Sequence, residues 1–261
     1  MTDVIVMNWQ ELEVSKDSVR LLLREPTVER VILVDNGSTD GSVEYFSNTE
    51  HPKFTFLPMG ENKGSSVARN RAIELTTAPY IWLLDGDIMY IKGSIEEYEK
   101  ILDLYPDAYC VGQNSMELLN RLGHNGVTDP TEADYRMEND YTIEQWFPMA
   151  WTQYGLFRGD LLRETKFIEE GVFGEAGWGA EDDYLHHEMT AKGYVSLAVD
   201  KPIYYHFAHS GLRELQKAGL ETKMAERIKI LEARWGKNAT WSKTIVRAGD
   251  YLNRTKRLKP T

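Results

Sequence analysis

Short apolar runs alternate with amphipathic stretches through the first half of the chain. Val4-Ile5-Val6-Met7, Arg30 to Val34, Phe54 to Leu57, Tyr80 to Leu84 and Ala108 to Val111 are strand-length and rich in β-branched and aromatic residues. Between the first two, Leu12, Val19, Leu22 and Leu23 fall on one side of a helix that Pro26 ends. Helical periodicity returns over Ser66 to Leu75 and Ser94 to Leu104. Apolar strands separated by helices long enough to act as crossovers predict an α/β, doubly wound, mostly parallel sheet flanked by helices. From Asn114 to Met149 the periodicity fades. A strand over Ala150 to Phe157 and a helix over Glu181 to Lys192, stopped by Gly193, follow. Leu212 to Trp235 is helical again, with Met224, Ile228, Leu231 and Trp235 on one stripe that reads as core packing. Residues 1–211 are expected to form one domain, and 212–261 a helical extension packed on it.

Composition excludes several classes. The 261 residues are 42% hydrophobic and 27% charged, as in ordinary folded domains, so disordered and repeat architectures are not expected. Cys110 is the single cysteine, which excludes an internal disulfide and a cysteine-based zinc site. No apolar run approaches membrane-spanning length and the N-terminus lacks a signal-peptide pattern, so a cytosolic chain is expected. The net charge of −11 is uneven. From Lys237 onward seven basic residues face one acid, which leaves −17 on the preceding residues. An acidic body argues against broad nucleic-acid binding. The basic tail reads either as a solvated terminal helix or as a dock for an anionic membrane surface or nucleic acid.

Loops that follow strands carry the chemistry, because open α/β sheets bind ligands outside the carboxyl ends of their strands. Asp85-Gly86-Asp87 places two carboxylates on one turn, which reads either as a tight turn with capping aspartates or as a site where a hard divalent cation relieves their repulsion and takes phosphates at its other positions. Asp35-Asn36-Gly37-Ser38-Thr39-Asp40-Gly41 superficially matches an EF-hand loop, but with Gly41 in sixth place Ser47 falls where the bidentate Glu belongs, so the motif fails. Asp35 is placed to accept a hydrogen bond from an imide N–H such as that of uracil. In Gly177-Trp178-Gly179-Ala180-Glu181-Asp182-Asp183, a flexible turn presents an aromatic face beside three acids at a helix start, a pattern suited to a sugar ring and its hydroxyls.

Taken together these segments resemble the metal-dependent glycosyltransferases of the GT-A fold, above all the inverting family-two group, over roughly residues 3 to 210. Met7-Asn8-Trp9-Gln10 departs from that group's Pro-x-Tyr-Asn-like turn but keeps an aromatic. Val34 to Gly41, Asn62-Lys63-Gly64 with Ala68-Arg69-Asn70, Asp85-Gly86-Asp87 and Glu181-Asp182 match its remaining motifs in order. The Gly177–Asp183 segment is also similar to that of galactosyltransferases and chondroitin-polymerase-like enzymes.

The resemblance implies a GT-A (Rossmann-like) domain, a nucleotide-sugar donor expected to be a UDP-sugar, and Mn²⁺ or Mg²⁺ as cofactor. It implies that Asp35 pairs with the base and Trp9 stacks on it. Lys63, Arg69, Asp85 and Gly86 complete the donor site, and Asp85 and Asp87 hold the metal with His206, or alternatively His209, as third ligand. Asp182 is the expected base; Trp178, Gly179, Glu181 and Asp183 are expected to bind donor sugar or acceptor. The acceptor hydroxyl would belong to a glycan, a lipid-linked saccharide or another polymer, modified DNA included. The 114–149 excursion with Trp146, Trp151 and Trp178 would shape its site. His186-His187-Glu188 reads as a surface patch or an acceptor wall. A nucleotidyltransferase is disfavoured because Met7 to Glu11 is not a glycine-rich phosphate loop, and a silent binding module because every expected acid is present.

Overall fold

The computed structural model of the chain describes residues 1–90, 93–113, 143–146, 154–176, 179–199, 204–206, 224–235 and 256–258. Of the 114–149 excursion only 143–146 are described; the rest of it, Trp151, Trp178, His209 and the tail from 236 to 255 lie outside the described residues.

Residues Thr2–Asn8 (β1), Val28–Asp35 (β2), Phe54–Pro58 (β3) and Tyr80–Asp85 (β4) form the parallel half of the sheet. Helices Leu12–Leu22 (α1), Ser42–Ser47 (α2) and Ser65–Ile73 (α3) provide the crossovers. After a short strand, Ile88–Tyr90 (β5), and the helix Ser94–Leu104 (α4), come Ala108–Gln113 (β6), Ile143–Trp146 (β7), Tyr154–Arg158 (β8), the helix Gly159–Thr165 (α5) and a 3₁₀ turn, Gly171–Gly174. The chain continues with Glu181–Ala191 (α6), Val195–Val199 (β9), Tyr204–His206 (β10), Met224–Trp235 (α7) and Lys256–Leu258 (β11).

The main sheet has nine strands in the order β11-β7-β9-β6-β8-β4-β1-β2-β3. Strand β8 runs antiparallel to both neighbours, β4 and β6, and β7 antiparallel to β9 and β11, so the other seven strands share one direction. The expected mostly parallel α/β sheet is therefore present. Val4–Val6, Val31–Val34 and Ile81–Leu84 are buried on both faces, as strands covered by helices on each side require.

The helix α1 buries Ser15, Ser18, Val19 and Leu22. Its two serines pay for their burial by bonding the segment after β4. Ser15 Oγ reaches the Gly86 carbonyl at 3.1 Å and Asn8 Oδ1 at 2.8 Å, and Ser18 Oγ donates to the Ile88 carbonyl at 2.7 Å. A smaller cluster of Phe173, Ala180 and Leu231, flanked by Ile168, Val172, Tyr184 and Trp235, seats α7 on α6 and the 3₁₀ turn.

The basic tail departs from the terminal-helix expectation at β11, where Lys256 pairs with Gln145 and Arg257 with Glu144. The backbone hydrogen-bonding edge of β7 recruits these three residues, and a run so short carries no periodicity of its own. Among the described residues no helix is long and apolar enough to cross a membrane.

Candidate active site

Three adjacent strands end together at the site. Asn8 is in register with Asp35 and Met7 with Asp85, and the strand order reverses between β1 and β4. Such a reversal opens the crevice in which doubly wound sheets bind their ligands.

The loop after β2 is folded around Asp35. Its carboxylate is fully buried and accepts hydrogen bonds from Asn8 Nδ2 at 2.7 Å and from the backbone N–H groups of Gly37 at 3.1 Å and Ser38 at 2.8 Å. Three donors at the strand end satisfy most of its charge inside the loop, on three of the carboxylate's roughly four acceptor positions. Asp40 accepts from the backbone N–H of Leu12 at 2.9 Å and of Ser42 at 3.1 Å, tying the starts of α1 and α2 to one side chain. Gln10, at φ 61°, donates its backbone N–H to Ser38 Oγ and accepts from Thr39 N–H. Trp9 is half-buried between Asn8 and Gln10, both bonded to this loop.

The loop after β3 is joined to it. Asn36 donates to Asn62 Oδ1 and accepts from the Lys63 N–H, both at 3.0 Å. Gly37 has φ +84°, and a Cβ there would lie 2.5 Å from the Glu61 carbonyl carbon, so only glycine allows the two loops to touch. The Lys63 ammonium lies 3.6 Å from Glu61 and is about half exposed. Gly64, at φ 85° and ψ 159°, occupies backbone space open only to glycine, and a Cβ would sit 2.3 Å from the Glu175 carbonyl oxygen. Gly64→Ala is expected to cost about 2–4 kcal/mol of stability from backbone strain plus overlap. Urea unfolding checks it, and a loss below about 1 kcal/mol would mean the Glu175 segment yields freely.

In the Asp85-Gly86-Asp87 turn, the Gly86 N–H donates to the Met7 carbonyl at 2.7 Å, holding the turn against β1. Asp85 and Asp87 are both half-buried. The short strands β5 and β10 pair antiparallel with His206 opposite Ile88, which brings the His206 backbone across from the residue after Asp87. Among the described residues no three His, Cys, Asp or Glu side chains form a metal-sized cluster.

Arg69 joins the strand-end loops to α6. Its guanidinium donates to Asp85 Oδ1 at 2.9 Å, lies 3.5 Å from Glu181 Oε1 and packs over the Phe167 ring at 5.5 Å. The side chain is 5% exposed. Burial acts to lower its pKa, but Asp85, Asp182 and Glu181 outweigh it and hold the value above that of a free arginine. Two carboxylates from segments about a hundred residues apart thus share one cation, with Asp182 within its field.

Glu181 is 7% exposed. Oε1 accepts from Ser65 Oγ at 2.6 Å, and Oε2 from the Gly179 N–H at 2.7 Å and from Arg227 at 3.2 Å. These bonds make Glu181 a brace at the helix start, in place of the hydroxyl-binding part expected for it. Asp182 and Asp183 follow it in the first turn of α6 and are half-buried.

The profile of glycosyl transferase family 2 matches residues 3–165, more than half of the sequence. The chain belongs to glycosyl transferase family 2. It is 39% identical over 209 residues to the uncharacterized glycosyltransferase YibD of Escherichia coli, an alignment covering 73% of this chain and 56% of YibD. It is 26% identical over 216 residues to the N-acetylglucosaminyl-diphospho-decaprenol L-rhamnosyltransferase of Mycobacterium tuberculosis, covering 70% of this chain and 68% of the relative. The chain therefore spans little more than half of YibD. Its fold is similar to the mannosyltransferase PcManGT from Pyrobaculum calidifontis, in complex with GDP-Man and Mn²⁺ (TM-score 0.58, 17% identity, 92% of this chain and 71% of that one). A second likeness is to TarS of S. aureus in complex with UDP-GlcNAc (TM-score 0.52, 18% identity, 92% and 72%).

The GT-A architecture expected from the motifs is thus found in this family-2 chain. Ser15, Ser18, Ser65 and Arg227 were not singled out in the sequence. Serines in an amphipathic helix read as solvent-facing, and an arginine on the α7 stripe carries no motif. His186 corrects another expectation. It is buried, 2.8 Å from the Tyr109 hydroxyl through Nδ1 and 3.1 Å from Thr190 Oγ1 through Nε2. His187 stacks on Trp235 and Glu188 pairs with Arg234, so the segment packs inward and onto α7 instead of forming a free surface patch.

Proposed function

We propose that this family-2 chain transfers a sugar from a nucleoside diphosphate to an acceptor hydroxyl, with inversion and with a divalent metal. The observation that carries the reading is the sharing of Arg69 by Asp85 and Glu181, which gathers the turn after β4 and the start of α6 at one edge of the sheet. The donor's diphosphate would lie against this edge, with Trp9 against the base beside the loop that Asp35 folds. Arg69 and Lys63 would present N–H donors to the phosphates.

The oxygen donors of Asp85 and Asp87, half-buried on one tight turn, suit a hard cation that completes its shell with phosphate oxygens and water. Asp85 and Asp87 would hold Mn²⁺ or Mg²⁺, with His206 as third ligand on the strength of its register beside Asp87. When bound, that ion neutralises charge developing on the leaving diphosphate. Asp182 would take the proton of the acceptor hydroxyl as it attacks from the face opposite the leaving group. Asp183 would accept hydrogen bonds from sugar hydroxyls. Braced by two arginines and Ser65, Glu181 keeps both acids at the helix start, where the helix dipole stabilises their charge.

The test is nucleotide release from a panel of UDP- and GDP-sugars with Mn²⁺, UDP-sugars first, with and without glycan acceptors. The name of the M. tuberculosis relative adds an isoprenoid-diphosphate-linked saccharide to the acceptor panel. Release of nucleotide from at least one donor is expected. EDTA is expected to stop turnover and excess Mn²⁺ or Mg²⁺ to restore it. Full activity in EDTA would remove the metal from the proposal, and no release from any donor would end the reading.

A further inference from the structure

The guanidinium of Arg227 is fully buried, and each of its five N–H bonds has an acceptor. Nε and Nη2 donate to the Val172 carbonyl at 3.3 and 3.1 Å, and Nη2 also to the Glu175 carbonyl at 3.4 Å. Nη1 donates to the Gly179 carbonyl at 3.1 Å and to Glu181 Oε2 at 3.2 Å. One side chain of α7 therefore holds three carbonyls across residues 172–179 and the first residue of α6.

The stretch so held is strained. Gly179 has φ 111° and Ala180 φ 63°, a left-handed conformation that a residue with a Cβ keeps only when its surroundings impose it. Gly179 is pinned on both sides, its carbonyl by Arg227 and its N–H by Glu181 Oε2. Immediately after Ala180 come Glu181 and Asp182. Phe173, under the guanidinium at 5.1 Å, closes the cage.

We propose that Arg227 is a positioning residue of the transfer reaction: from α7 it fixes the carbonyls of Val172, Glu175 and Gly179 and the Glu181 carboxylate, and through them the helix start that carries Asp182. The proposal rests on the glycosyltransferase reading above. Charge pairing alone does not call for an arginine here. Burial lowers its pKa more than the attraction of Glu181 and Glu175 raises it, and a buried ion pair is commonly replaced by apolar packing without loss. What an apolar side chain cannot supply is a planar fork of donors to three carbonyls and a carboxylate at once. Both ends of this link, Glu181 and Arg227, lie beyond the residues matched by the family profile, so the C-terminal helix completes a site whose donor half lies within it.

The experiment compares the full chain with Arg227→Met and Arg227→Lys, using the nucleotide sugar that the unmodified chain turns over fastest with Mn²⁺. Arg227→Met is expected to lower kcat about tenfold or more, as small misplacements of a reacting group do. KM for the donor should stay within about threefold, because Trp9, Lys63, Asp85 and Asp87, proposed to hold the nucleotide and its metal, are not among the groups that Arg227 bonds. Amide hydrogen exchange over 172–186 is expected to rise while β1, β2 and β4 keep their protection. Arg227→Lys keeps the charge but offers three donors, so it should recover part of kcat; if the Met variant does not fold, the Lys variant carries the test with the same readouts. A folded variant with unchanged kcat, a rise in KM alone, or a uniform rise in exchange with kcat following global stability would each overturn the proposal. No turnover by the unmodified chain sinks the glycosyltransferase reading itself; turnover by that chain with kcat unchanged in the variants sinks this proposal alone.

Discussion

Asp182→Asn is expected to cut turnover by about two to four orders of magnitude, the usual contribution of a positioned general base. The substitution keeps size and hydrogen-bonding capacity but removes the basicity needed to accept the acceptor's proton. Fold and donor affinity should survive. Asp182 is half-buried in the first turn of α6, and Asn keeps its size there, while Glu181 beside it is held by Ser65, Gly179 and Arg227. Steady-state kinetics with a saturating donor, alongside titration calorimetry of the nucleotide with Mn²⁺, separates the two effects. Normal turnover by folded Asp182→Asn would remove it from the base role. Asp183→Asn should then be tried, as the next acid of the same turn.

Arg69→Met is expected to destabilise the fold by about 3–5 kcal/mol, the range seen when one partner of a buried ion pair is removed. Asp85 loses a 2.9 Å bond and Glu181 a cation 3.5 Å away, and Asp182 loses the field that its charge shares with them. Arg227 still faces Glu181, which places the expected loss toward the lower end of that range. The parent's positive charge does not titrate away at accessible pH, because the three acids hold the Arg69 pKa above its already high ordinary value. Chemical denaturation of parent and variant checks the magnitude, and nucleotide release checks activity, which should fall with it. A variant within about 1 kcal/mol of the parent would show that water already satisfies these carboxylates.

Much of the fold was legible in the linear sequence. Val4–Met7, Arg30–Val34, Phe54–Leu57 and Tyr80–Leu84 all fall inside observed strands. In β1, β2 and β4 this is because a strand buried on both faces must be a nearly unbroken apolar run, whereas the edge strand β3 is only half-buried. The loops at the site were legible for a related reason. Asp, Asn and Gly dominate tight turns, so Asp35, Asn36 and Asp85 marked the polar loops that follow β2 and β4. The three-residue strands β5, β10 and β11 were not legible, since three residues show no period and form only because a partner edge is near. The buried serines of α1 were missed for the same reason: their acceptors, the Gly86 and Ile88 carbonyls, lie about seventy residues away.

By itself, then, the order of residues along this chain determined the α/β class, the crossovers and which loops carry acids, all of which depend on side-chain chemistry repeated over a few neighbouring positions. The direction in which each acid faces was decided only by the tertiary structure. Asp35 turned inward because Asn8, Gly37 and Ser38 offered it hydrogen bonds, and Glu181 became a brace because Arg69 and Arg227 reached it from opposite sides. A carboxylate's role depends on which donors reach it first. Those donors come from segments whose proximity follows from packing, not from spacing along the chain.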